Sequence, residues 1–111
     1  MPSPARRHYQ RVTAAQAAAD AGTEPMRGDA YEIMAASLLE DRRRLKAIQS
    51  VERKIAAKRE ILPQYADYVA GVLAADTGAQ DDVLTTVMIW RFDVGDLAGG
   101  LDIAEHALRH G

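Results

Sequence analysis

The fold is decided by residues 29–62, which read DAYEIMAASLLEDRRRLKAIQSVERKIAAKREIL. No proline or glycine interrupts this stretch, and Asp29 is well placed to cap a helix N-terminus. Apolar residues recur three or four positions apart along it, which is the spacing of one helix face. The pattern predicts a single charged helix from about Asp29 to Leu62, roughly 50 Å long at 1.5 Å per residue.

The apolar positions of this helix form a seam typical of a coiled coil. Its members are Tyr31, Met34, Leu38, Leu45, Ile48 and Ile55. Charged residues at Asp41, Glu52 and Arg59 interrupt the seam, so the heptad pattern is incomplete. Because a helix of this length is too long to be covered by so small a chain, we expect the seam to form the subunit interface of a homo-oligomer, with the interruptions setting its register.

Composition points the same way. The 111 residues suffice for one domain but include only one Trp, one Phe and four Tyr, so a monomer would bury little large apolar surface. The absence of cysteine excludes disulfides, thiolate metal sites and cysteine nucleophiles. No apolar run follows the basic N-terminus or approaches the roughly 20 residues of a membrane span. We therefore expect a soluble, intracellular protein without a membrane partner.

The rest of the chain divides into shorter helices. Residues 1–22 predict an N-terminal basic helix, and residues 63–111 predict a compact bundle of three helices. Pro63, Gly78 and the segment 93–96 mark the boundaries within that bundle. No two-residue alternation of apolar and polar residues occurs, so the predicted fold class is all-α.

The charge is unevenly distributed along the chain. Residues 1–62 carry twelve Lys/Arg and eight Asp/Glu, a balance of +4, whereas residues 63–111 carry two and eight, a balance of −6. This polarity suggests two surfaces for different partners. The alternative is chance segregation over solvated faces.

Two groups of basic residues are candidates for DNA contact: Arg6, Arg7 and Arg11 on the first helix, and Arg42, Arg43, Arg44 and Lys46 on the long helix. Spaced in this way, such side chains can neutralise phosphates along a duplex. They can equally form a solvated helix exterior balanced by neighbouring acidic residues, in which case the chain is a protein-interaction scaffold without direct DNA binding. The residues alone leave both interpretations open.

A possible metal-binding stripe lies at the end of the chain, where Asp102, His106 and His110 follow one another at one-turn intervals. Histidines in the last turn also suit the helix dipole, and this explanation is favoured. Four aspartates, Asp81, Asp82, Asp93 and Asp96, could serve metal-dependent phosphodiester cleavage, but each stands where a helix cap is expected. We therefore predict no catalytic residue, no metal ligand and no cofactor.

Several blocks of sequence in a fixed order resemble a known family. They are SPARRH at 3–8, RVTAA at 11–15, Tyr31-Glu32, LKAI at 45–48, KREILP at 58–63, GAQDDVL at 78–84 and VMIWRFDVGD at 87–96. The last two are the most specific. Together they are similar to the GpM family, the small terminase subunits of temperate tailed phages and their prophages, and the resemblance covers nearly the whole chain.

The resemblance implies a role in viral DNA packaging. Small terminase subunits bind the packaging site of the double-stranded phage genome, assemble as homo-oligomers such as rings, and load the large terminase subunit, which carries the ATPase and the nuclease. The expected location is the cytoplasm of the infected bacterial host.

The family has been labelled an endonuclease subunit, so a metal-dependent endonuclease subunit is a further alternative. Because the residues offer no assembled metal site, we expect the large subunit to perform the cleavage. Family members continue beyond the equivalent of Gly111 into a basic tail, so we expect a single domain of a longer protein with its C-terminal region absent.

Overall fold

The computed structural model describes residues 29–76, 78 and 81–110. These residues form α1 (Asp29–Lys46), α2 (Val51–Ile61), a 3-10 turn (Leu62–Tyr65), α3 (Ala66–Ala75), α4 (Asp82–Asp93) and α5 (Leu97–His110). No strand occurs among them, which confirms the predicted all-α class. The predicted N-terminal helix over residues 1–22 lies outside the described residues.

The stretch predicted as one long helix consists of two helices. The first ends at Lys46, and the backbone of Ser50 is extended, with φ −78° and ψ 130°. Ser50 caps the second helix, because its side chain accepts a hydrogen bond from the backbone N–H of Arg53 at 3.3 Å. The break makes a more compact arrangement possible: the longest dimension of the described residues is 40 Å, less than a continuous helix over 29–62 would need.

Pro63 changes the type of helix. The α-helical hydrogen bonding of α2 ends at Ile61, and the chain continues through the 3-10 turn directly into α3. Proline has no N–H to donate to the carbonyl four residues earlier, so the α-helical ladder is interrupted there. The predicted boundary at Pro63 is thus present, as a tightened turn between two helices.

Side-chain caps and a glycine define the two last helices, as the sequence predicts. Asp81 caps α4, since its Oδ1 accepts hydrogen bonds from the N–H groups of Val83 and Leu84 at 2.8 and 3.1 Å. After α4 the chain turns at Gly95, whose φ of +85° is accessible to glycine without strain. Asp96 then accepts a hydrogen bond from the N–H of Gly99 in the first turn of α5, at 3.0 Å.

One apolar core joins α1 to the later helices. Its members, all at most 7% exposed, are Met34, Leu38, Leu45, Ala57, Ile61, Tyr65, Tyr68, Val69, Val72, Val83, Leu84, Val87, Trp90 and Ile103. The ring of Trp90 meets that of Tyr65 edge to face, with ring centroids 6.3 Å apart. The helices α4 and α5 approach closely because Gly100 has no side chain where the ring of Phe92 lies.

Two buried aspartate–tyrosine hydrogen bonds connect parts of this core. The hydroxyl of Tyr65 donates to Oδ2 of Asp41, and that of Tyr68 donates to Oδ2 of Asp81, each at 2.6 Å. Asp41 is one of the three charged residues that interrupt the apolar seam, and it is 3% exposed. Its place in the seam is therefore explained by a partner within the same chain.

Candidate functional site

The seam predicted as a subunit interface faces the interior of the chain at three of its six positions. Met34, Leu38 and Leu45 are at most 7% exposed and belong to the core, where a second subunit cannot reach them while the chain is folded. α1 folds onto α4 of its own chain, which covers its apolar face at these three positions, and the subunit interface itself stays a prediction. The other three, Tyr31, Ile48 and Ile55, are half-buried, and the first two of them pack against the core.

An exposed apolar stripe lies instead on α5. Leu97, Leu101 and Leu108 are 61%, 58% and 84% exposed. Their spacing places them on one face of the helix, opposite the face that buries Ile103 and His106. The sequence shows the one-face spacing of these leucines, but spacing alone does not tell whether such a face lies in the core or outside it.

The basic residues predicted to contact DNA cluster on the last turn of α1. Arg43 and Lys46 are exposed there. The other two are held by neighbouring helices: Arg42 donates from Nη2 to the hydroxyl of Thr86 at 2.7 Å, and Arg44 pairs with Glu60 at 2.8 Å. All four cations are exposed, and two of them also have partners on neighbouring helices. The remaining candidates, Arg6, Arg7 and Arg11, lie outside the described residues.

The four aspartates considered for cleavage chemistry do not converge on one point. Three of them have structural roles, and one is exposed on the surface. Asp81 and Asp96 cap helices, Asp93 pairs with Lys58 at 2.8 Å, and Asp82 is exposed on the first turn of α4. Burial raises the pKa of Asp81, against the hydrogen bonds from Tyr68 and from the backbone, which act to lower it. Capping is the interpretation that the sequence favours for this group, and the geometry agrees for Asp81 and Asp96.

The two C-terminal histidines meet an aspartate that the sequence pattern does not single out. Oδ1 of Asp76 lies 3.4 Å from Nδ1 of His106 and 2.8 Å from Nε2 of His110. Each of the three residues offers a potential ligand atom, and these atoms lie within 4.8 Å of one another. The predicted third member of the stripe, Asp102, is exposed and does not belong to this group.

Asp76 is held in place by its backbone and by cations. It caps the C-terminus of α3 in the left-handed conformation, with φ 51°, and its N–H donates to the carbonyl of Val72. Hydrogen bonds from His110 and from Arg109 lower its pKa from 3.8 to about 2, although burial acts in the opposite direction. The carboxyl is therefore ionised at neutral pH.

A cavity of about 350 Å³ lies beside this group of residues. Its walls come from the first turns of α4 and the last turns of α5, and include Asp81, Thr85, Met88, His106 and His110. Gly78 also borders it, and a side chain there would meet the ring of His110 at 3.3 Å.

Among the described residues, no helix has the length and hydrophobicity needed to cross a bilayer.

Comparison with known proteins agrees with the resemblance noted in the sequence. Residues 35–111 match the family described as phage small terminase subunit. Over all of its 111 residues the chain is 50% identical to a protein of Escherichia phage P2 named "Terminase, endonuclease subunit", and it covers 45% of that protein. The chain thus spans less than half the length of this relative. No solved structure matches the chain. With more than half of its residues matched to that family, the chain belongs to the phage small terminase subunits.

Proposed function

We propose that this chain is the part of a small terminase subunit that binds phage DNA for packaging and assembles with copies of itself. The proposed place of action is the cytoplasm of the infected bacterial host. Family membership supports the packaging role. The proposed contact with DNA is based on a group of exposed basic side chains where α1 ends and α2 begins: Arg43, Lys46 and Arg53.

The break after α1 favours this group as a phosphate-binding surface. Lys46 ends α1 and Arg53 lies in the first turn of α2, so the turn at 47–50 places cations from two helices at one corner of the fold. Arg42 and Arg44 flank this corner but are also engaged by Thr86 and by Glu60. A cluster of exposed cations gives sequence-independent, salt-dependent affinity for a duplex, and any recognition of the packaging site is then added to it.

Removing one exposed cation should flatten the salt dependence of DNA binding. For Arg43→Ala and for Lys46→Ala, we expect the slope of log K against log salt concentration to fall in magnitude by about 0.9 for each phosphate that is no longer neutralised. The measurement is fluorescence anisotropy with duplex DNA that carries the packaging site, at several salt concentrations. Arg109→Ala is the matched control, because it removes the same charge from α5 rather than from this corner, and its slope should equal that of the wild-type chain.

Two results of this titration would contradict the proposal in different ways. Unchanged slopes for both variants, with wild-type binding intact, would place the contacts on Arg6, Arg7 and Arg11 or on a part of the protein outside this chain. No binding at any salt concentration would favour the alternative of a protein-interaction scaffold, in which the basic corner meets acidic surfaces of other subunits.

For self-assembly, the exposed stripe of Leu97, Leu101 and Leu108 is the surface best suited to contact between subunits. Three leucines on one helix face, all more than half exposed, favour association because their burial removes apolar area from water. The half-buried Tyr31, Ile48 and Ile55 remain proposed contacts between subunits. The stripe takes the place of the core positions Met34, Leu38 and Leu45 as the proposed centre of the interface.

Loading of the large terminase subunit is proposed from family membership. The name of the phage P2 relative favours a second candidate function, DNA cleavage by this subunit. We assign cleavage to the large subunit, because the aspartates best suited to bind catalytic Mg²⁺ are dispersed among caps, ion pairs and the surface. Nicking of duplex DNA by the purified chain in the presence of Mg²⁺ would overturn this assignment.

A further inference from the structure

We propose that Asp76, His106 and His110 form a binding site for Zn²⁺ at the end of the helical bundle. The three residues come from two separate parts of the chain, since Asp76 ends α3 and the histidines lie one turn apart on α5. Their potential ligand atoms all lie within 4.8 Å of one another. The ligands of a tetrahedral zinc ion, at about 2.0–2.2 Å from the metal, lie roughly 3.3 Å apart, so small side-chain movements suffice to bring these atoms to one metal ion.

The state of His106 is the independent observation that points to a ligand. The residue is 4% exposed, and its Nδ1 is buried without a hydrogen-bond partner. Buried polar atoms in folded proteins are nearly always hydrogen-bonded, so such an atom calls for an explanation. Nδ1 faces Oδ1 of Asp76 at 3.4 Å but makes no hydrogen bond with it. A metal cation between the two atoms would be coordinated by the lone pair of the nitrogen and by the negatively charged carboxylate oxygen.

The three residues already lie close to one another before any metal binds. The rings of His106 and His110 already lie close together, with their centroids 4.7 Å apart. Asp76 is locked by its left-handed backbone conformation and by the hydrogen bond of its N–H to Val72. Gly78 leaves space for the ring of His110, which a larger residue would reduce. A preformed donor set reduces the ordering that binding requires.

The chemistry of the donors selects the metal. Two imidazole nitrogens and one carboxylate oxygen suit Zn²⁺ and its first-row neighbours, whereas Mg²⁺ and Ca²⁺ prefer sites made of oxygen atoms. Three protein ligands leave the fourth zinc position for water or for a group from another molecule. His106 and His110 line the cavity beside α4, which offers space for such a group.

Arg109 is the competing partner of the same carboxylate. Its Nη2 lies 3.1 Å from Oδ1 of Asp76, and its side chain is half exposed. Ion pairs at this level of exposure are weak and screened by salt, so zinc can displace the guanidinium into solvent. Without metal, the ion pairs of Asp76 hold the end of α5 against the end of α3; with zinc, coordinate bonds hold the same two elements together.

Isothermal titration of the full chain, free of any affinity tag and stripped of metal, with ZnCl₂ tests the site. We expect one zinc ion per chain. Loss of an outer hydrogen-bond partner weakens metal sites about 10–100-fold, so loss of a ligand in Asp76→Asn or His110→Gln should weaken binding by about a hundredfold or more. Zinc at a hundredfold excess over its dissociation constant should also raise the melting temperature of the wild-type chain by roughly 10 °C, and that of Asp76→Asn by no more than about 2 °C.

Two variants provide matched controls. Asp102→Asn removes an exposed carboxylate from the same helix, and His8→Gln removes the third histidine of the sequence; both should bind zinc as the wild-type chain does. Because His106 is buried, His106→Gln is interpreted only if its circular dichroism matches the wild type, and the exposed pair Asp76 and His110 carries the test otherwise. Absence of zinc binding, binding that survives in His110→Gln, or binding that depends on His8 would each overturn the proposal.

Discussion

Replacing Leu38 with alanine should lower the free energy of unfolding by about 3 kcal/mol. Leu38 is 3% exposed and belongs to the core that α1 shares with the later helices. The substitution removes buried methyl groups and leaves a cavity that the surrounding helices close only in part. Urea denaturation followed by circular dichroism measures the loss. It should not depend on protein concentration, because Leu38 packs within its own chain.

The neighbouring residue provides the control. Leu39 is 53% exposed, so Leu39→Ala should change the free energy of unfolding by no more than about 0.5 kcal/mol. If Leu38 were part of a subunit interface instead, the effect of Leu38→Ala would shrink as the protein is diluted and both chains become monomeric. Equal effects of the two substitutions would likewise contradict the placement of α1.

Replacing Asp81 with alanine should lower the free energy of unfolding by about 3 kcal/mol as well. The substitution removes the N-cap of α4, which is worth about 1 kcal/mol. It also leaves the buried hydroxyl of Tyr68 without the carboxylate to which it donates, at about 1–3 kcal/mol. Removal of a partly desolvated charge offsets a small part of this loss, since burial raises the pKa of Asp81. Thermal and urea unfolding of the purified variant provide the measurement.

Asp82 is the matched control for this prediction. It is the next residue and is exposed, so Asp82→Ala should have an effect below about 0.5 kcal/mol. The double variant Asp81→Ala, Tyr68→Phe should be more stable than the sum of the two single variants implies, because it removes both members of the hydrogen bond. Strict additivity would show that the hydroxyl finds another partner.

The ends of most helices could be predicted from the sequence because they depend on local chemistry. Asp81 and Asp96 cap the helices that follow them, and Gly95 adopts a conformation that favours glycine. The break after Lys46 could not be predicted from proline or glycine, since neither residue occurs there. Ser50 is the available signal, since it is a good N-cap and is followed by Glu52 in the first turn of the new helix.

The partner of the apolar seam could not be predicted from its spacing. The same three- and four-residue spacing serves a helix that packs on its own chain and one that packs on a sister subunit. Asp41 carries the relevant information, but its meaning depends on Tyr65, which follows it by 24 residues. In the same way, Leu97, Leu101 and Leu108 are identified as an exposed stripe only when the positions of the neighbouring helices are known.

In the candidate sites, too, residues that are close in sequence could be identified from the sequence, whereas residues that are brought together by folding could not. The two histidines one turn apart are visible in the sequence, whereas Asp76, 30 residues before His106, joins them only because the end of α3 meets the end of α5. Regular helical spacing indicates Asp102 instead, which points into solvent. For the basic residues, the sequence locates the cluster, but only the structure shows that Arg42 and Arg44 have partners on neighbouring helices.

The mass of the assembled particle shows whether this chain is an assembly module whose subunits meet through the leucine stripe of α5. Native mass spectrometry at low micromolar concentration, with and without a short DNA duplex, measures it directly. We predict particles of more than one chain for the wild type, and a single chain for Leu101→Asp with an unchanged circular dichroism spectrum. A wild-type chain that remains monomeric both alone and on the duplex would contradict the account.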